Sequence, residues 1–89
     1  IQTQEIIQKL DLVLIHTINA ETGTRGFIIT GKEEFLDPYN NAGEQIRENI
    51  TALRGLVSND SVQKQRIADL ENMVNEKMSI SRQQVESYR

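Results

Sequence analysis

Residues 20–39 read AETGTRGFIITGKEEFLDPY, and this stretch decides how the chain folds. Gly23 and Gly26 stand inside a run whose spacing is otherwise helical. Each glycine costs a helix about 1 kcal/mol relative to alanine. Two within one turn need a reason, and close approach of another helix is the usual one. Thr22, Gly23, Gly26 and Thr30 form a small-residue flank suited to such an approach. Gly31 fits the left-handed position that ends a helix. Lys32 to Leu36 reads as a corner, one short turn at most. Pro38 lacks a backbone donor and fits the first turn of the next helix, with Asp37 as its cap. Glu33, Glu34 and Asp37 lie where a helix N-terminus favours negative charge.

Helical spacing continues on both sides. Upstream, Ile6, Leu10, Val13, Thr17, Ala20 and Phe27 follow the alternating three-and-four step of a heptad seam. A second stripe, Ile7, Leu14, Ile18 and Ile28, runs beside it, and Leu12, Ile15 and Ile29 lie further round. A helix apolar on so much of its circumference has to be covered on more than one side. A second protomer is the expected cover, which implies a homodimer through the N-terminal helix. Downstream, Tyr39, Ala42 or Gly43, Ile46, Ile50, Leu53 and Val57 predict a helix from about Pro38 to Val57. Asn59, Asp60 and Ser61 form a polar turn, with Asp60 and Gln63 spaced as a capping box. A third helix follows to the C-terminus along Ile67, Leu70, Val74, Ser81, Val85 and Tyr88, widened by Met73 and Ile80. No strand pattern occurs.

The predicted fold is therefore all-α: an antiparallel bundle of three long helices, read as one domain over residues 1–89. Loops this short force sequential helices to be antiparallel. An odd number of passes, with a first helix apolar nearly all round, suggests a four-helix bundle whose last helix is absent or supplied by a partner.

Composition removes several classes of function. Thirteen acids against ten bases give a net charge of −3, without the basic face that nucleic acid needs. With no cysteine there is neither a disulfide framework nor a thiolate metal site. The single histidine, His16, excludes a metal centre needing two imidazoles, and among Leu14, Ile15 and Ile18 it reads as a packed or rim residue. Asp11 and His16 interrupt the longest apolar run, so nothing spans a bilayer as it stands. The first residues lack Met and the basic start of a signal peptide, so the chain reads as a piece of something longer. No catalytic, cofactor-binding or metal-binding residue is assigned, and no ligand is indicated.

Other motifs carry less. Gly26 to Lys32, GFIITGK, nearly spells a phosphate-binding loop, but Glu33 stands where a Ser or Thr should hold magnesium, and no strand precedes it. Gly23-Thr-Arg-Gly26 matches the clamp of an RNA-binding module that also needs strands and a basic groove. Asn49-Ile-Thr51 and Asn59-Asp-Ser61 match glycosylation acceptors, which matter only in a eukaryotic secretory setting. Glu44 and Glu48 read as a solvated face. Glu21 and Arg25 have the favourable order for an ion pair one turn apart. Two readings stay open for them: a partly buried pair that fixes the helix corner, or contact with a ligand.

Residues 20–39 also resemble the signature of the CHASE-type extracellular sensory domain of the third, all-helical class. That signature has an Asp-Ala-Glu-Thr-Gly-x-Arg-Gly core, an aromatic and two aliphatics, Thr-Gly, and an acidic Phe-Leu-x-Pro-Tyr segment. Glu21, Thr22, Gly23, Arg25, Gly26, Thr30, Gly31, Phe35, Leu36, Pro38 and Tyr39 match it residue by residue. Phe27 replaces the commoner tyrosine, Asn19 the usual acid, and Lys32 the acid after Thr-Gly. The resemblance implies a non-catalytic module outside the cytoplasmic membrane, periplasmic or extracellular, between two transmembrane helices. Its parents would be sensor histidine kinases, nucleotide cyclases or chemoreceptors. It also implies a further helical segment after Tyr88. A ligand-free coiled-coil or bundle scaffold is the competing reading, since it predicts the same helices.

Overall fold

A computed structural model describes residues 3–89. Three long helices run Thr3–Thr30 (α1), Asp37–Leu56 (α2) and Ser61–Tyr88 (α3), with a short 3-10 turn at Glu33–Leu36 before α2. No strand occurs among the described residues. The rod measures 45 × 19 × 14 Å, its length set by helices of 28 residues. Its radius of gyration, 14.5 Å, exceeds the roughly 12 Å expected of a spherical chain this long.

Each boundary has a local cause. Gly31 adopts φ +70, and its N–H donates to the Phe27 carbonyl at 2.6 Å. The Thr30 hydroxyl donates to the Gly26 carbonyl at 2.6 Å and accepts from the Lys32 N–H at 3.2 Å. These bonds use up groups that a helix end leaves bare. Asp60 starts α3 by accepting from the Val62 and Gln63 N–H groups at 3.1 Å. The expected capping box is only half made, because the Asp60 N–H already bonds the Val57 carbonyl at 3.0 Å. Asp37 is not a cap either. The 3-10 turn runs straight into α2, Leu36 is already helical, and the Asp37 N–H bonds the Glu34 carbonyl. Asp37 is the first helical residue.

The predicted seams meet in the interior. Val13 and Ala20 of α1, Ile46, Ile50 and Leu53 of α2, and Ile67 and Val74 of α3 share one core. Ile6, Leu10, Tyr39 and Leu70 pack at its edge. Phe27, Leu36 and Val85 form a second cluster at the corner end. The threonines that interrupt the α1 seam are satisfied within the helix: Thr17 donates to the Val13 carbonyl and Thr24 to the Ala20 carbonyl. Burial therefore leaves no hydroxyl unpaired there, which removes the usual penalty for an interior polar group. α1 touches both other helices, while α2 and α3 touch each other least.

Among the described residues the second and third stripes of α1 are only partly covered: Ile28 packs on the corner cluster and Leu12 is half-buried. Ile7, Leu14, Ile15, Ile18 and Ile29 are between 42% and 82% exposed. On α3, Met73 and Ile80 are also largely exposed.

The glycines give a direct test of the packing. A Cβ at Gly23 would lie 2.5 Å from the Phe35 carbonyl oxygen, and one at Gly26 2.7 Å from the Phe35 ring, whereas Gly43 has nothing within 4 Å. Gly23→Ala should destabilise the fold by about 1–2 kcal/mol, overpacking outweighing the propensity gain. Gly43→Ala should stabilise it by about 0.5–1 kcal/mol. Urea denaturation followed by circular dichroism reads both; equal effects would refute the close-approach account.

Candidate functional site

The conspicuous stretch of α1 does two separate jobs. On one side, Gly23 and Gly26 bare the helix backbone to the corner. Pro38 rests 3.6 Å from the Cβ position of Gly23, and the Phe35 ring lies over Gly26. Leu36 is buried below, against Phe27 and Val85, with Tyr39 packed beside them. Tyr88 closes the end of the cluster. Its ring meets Phe27 edge-on at 4.9 Å, and its hydroxyl lies 2.8 Å from the Cβ position of Gly31. Arg89 stacks over Phe27 at 5.7 Å and pairs with Glu33 at 2.6 Å. The corner is thus held by both the start of α2 and the end of α3.

The expected small-residue flank is narrower than its sequence. Thr22 and Thr30 are exposed, and Thr30 caps its own helix. What lies against the glycines is the 3-10 turn and the first turn of α2, not the length of another helix. The phosphate-loop reading fails for a related reason. Residues 26–30 are helical, so their N–H groups point along the helix and cannot converge on a phosphate.

On the other side, Glu21 and Arg25 face α3. The anticipated Glu21–Arg25 pair is not formed. Glu21 instead pairs with Lys77 at 3.6 Å, across the α1–α3 contact. Among the described residues no ion pair engages Arg25, which is exposed and does not brace the corner. Sequence periodicity could not supply this partner, because the choice depends on the axial register of α1 against α3.

Glu21, Arg25 and Lys77 rim a groove of about 280 Å³ with Ser81 and Gln84, its apolar lining coming from Ile28, Ile29 and Ile80. Ser81 is buried at 3% exposure. A shallower extension past Gln83 and Ser87 reaches Tyr88. Of these residues, Ile80 was visible beforehand as a widening of the α3 face; Lys77 and Gln84 carried no signal. His16 is half-buried at the rim of the bundle, away from this groove. Among the described residues no group of three potential metal ligands comes together, and no helix is long and apolar enough to cross a membrane.

Arg25→Ala should therefore change stability by only a few tenths of a kcal/mol, as at an unpaired exposed site. The Glu21–Lys77 pair, with side chains 28% and 44% exposed, should show a coupling below about 1 kcal/mol in a double-mutant cycle. A loss above that range for Arg25→Ala would restore the corner-fixing reading, one of the two that the sequence leaves open.

Comparison with known proteins places the whole chain in one family: the profile described as CHASE3 domain matches residues 1–89. No curated protein and no solved structure matches significantly.

Proposed function

The chain belongs to the CHASE3 domain family, and on that premise we propose that it is the extracytoplasmic signal-input module of a transmembrane receptor, a sensor histidine kinase, working as a homodimer through α1. CHASE3 domains are sensory modules of signalling receptors, extracellular in type and without catalytic activity of their own. The observation that carries the finer reading is the outward stripe of α1. Ile7, Leu14, Ile15 and Ile18 expose apolar surface along α1 on the N-terminal side of Gly23 and Gly26. Two protomers held in one membrane have to run their first helices parallel about a common two-fold axis. Ile7, Leu14 and Ile18 then meet their counterparts in the second copy at heptad-like spacing.

The output step follows from rigidity. α1 is continuous for 28 residues from the corner to its N-terminal end. The hydroxyls of its buried threonines, Thr17 and Thr24, are bonded internally and its inner face is packed, so a displacement at the corner is carried along the rod. Packed helix interfaces switch between discrete arrangements, typically shifts of about 1–2 Å. A stimulus favouring one arrangement by about 1–3 kcal/mol is enough to bias the output. The flanking transmembrane helices of the parent would receive this shift.

Sedimentation of the 89-residue chain tests the dimer. The wild type should self-associate, and Ile18→Asp should sediment as a folded monomer, since Ile18 is 58% exposed and its loss leaves the core intact. A wild type that stays monomeric at millimolar concentration would contradict the reading.

A further inference from the structure

We propose that the α1–α3 groove is a stimulus site for a small amphipathic carboxylate, a short aliphatic acid bound by Arg25 with its tail against Ile28, Ile29 and Ile80. The inference rests on the sensor reading above and names the ligand class for it. Three observations converge. First, the charge in the groove is unbalanced. Glu21 and Lys77 neutralise each other at 3.6 Å, leaving the Arg25 guanidinium as a cation without a counterion among the described residues. A guanidinium presents a planar fork of donors that matches a carboxylate at both oxygens. Second, the lining beside that cation is apolar. Ile29 is 82% and Ile80 49% exposed, so burying them against an alkyl chain is favourable. Third, the groove has room and direction. Its volume of about 280 Å³ suits a ligand of a few carbons, and the extension towards Tyr88 accepts a longer tail.

The same geometry ranks other ligand chemistries lower. Inorganic phosphate offers the charge but leaves the isoleucines wet. A fatty alcohol offers the tail but leaves Arg25 unpaired. An aliphatic amine would meet two cations against one acid. Along α1 the groove lies nearer the corner than Ile7, Leu14, Ile15 and Ile18, and Ile28 and Ile29 in its lining continue the same apolar stripes. Because its walls come from two helices, occupancy fixes α1 against α3, which is the movement a sensor has to read.

A two-dimensional NMR titration of the 89-residue chain tests the site, with sodium hexanoate as the probe and hexanol and inorganic phosphate as controls. Hexanoate should give saturable shifts centred on Arg25, Ile28, Ile80 and Gln84, with an affinity on the order of millimolar. Arg25→Gln should weaken it about tenfold or more, the loss of a charged hydrogen-bonded contact. Ile80→Asp, which sets a carboxylate beside the bound one at an exposed position, should weaken it comparably without altering the fold. Absence of saturable shifts, equal binding of hexanol or phosphate, or an Arg25→Gln variant that binds normally would overturn the proposal. A failed titration leaves the sedimentation result untouched, so loss of this site and loss of the dimeric sensor reading appear in different experiments.

Discussion

The bundle depends on one steric condition: at Gly23 and Gly26 the surface of α1 must carry no side chain. The Phe35 carbonyl and the Phe35 ring occupy the volume that two β-carbons would fill. This lets the chain reverse within six residues, from Gly31 to Leu36, and start α2 hard against the helix it has just left. The tight corner then sets the phase of α2, turning Ala42, Ile46, Ile50 and Leu53 inward. It also buries Leu36, around which Phe27 and Val85 assemble. α3 is secured at its far end by the same corner, through Tyr88 on Phe27 and Arg89 on Glu33. The propensity cost of two mid-helix glycines, about 1 kcal/mol each, is offset by the packing they admit.

α1 is consequently a helix with two working faces. Its inner face holds the core with side chains whose polar atoms are satisfied locally. Its outer face displays isoleucines that stay half or more exposed among the described residues. Between the two lies the edge shared with α3, where Glu21, Arg25 and Lys77 gather. A single rod thus joins an interior packing surface, an uncovered apolar stripe and a mixed polar–apolar groove. In the proposed sensor, movement at one of them would be passed to the others by α1 shifting as a unit.

Much of this was legible in the sequence, for identifiable reasons. The seams of all three helices follow from apolar spacing alone, and Val13, Ile50 and Val74 are buried as their positions imply. Gly31 ended α1 because its left-handed backbone has few other tenants. The misjudged features depend on relations between elements. Asp37 looked like a cap because proline follows it, yet a preceding 3-10 turn already occupied its N–H. Glu21 and Arg25 looked like a pair because they stand one turn apart, yet Lys77 on a parallel helix competes for the same carboxylate. The groove was invisible because its lining draws on two helices whose register no local pattern encodes.

The close approach at the corner is best tested by nuclear Overhauser contacts in the isolated chain. The α-protons of Gly26 should show strong contacts to the Phe35 ring, and those of Gly23 should show contacts to Pro38. If those contacts are absent while the helices persist, the corner does not lie on the glycines, and the account of how this bundle turns is wrong.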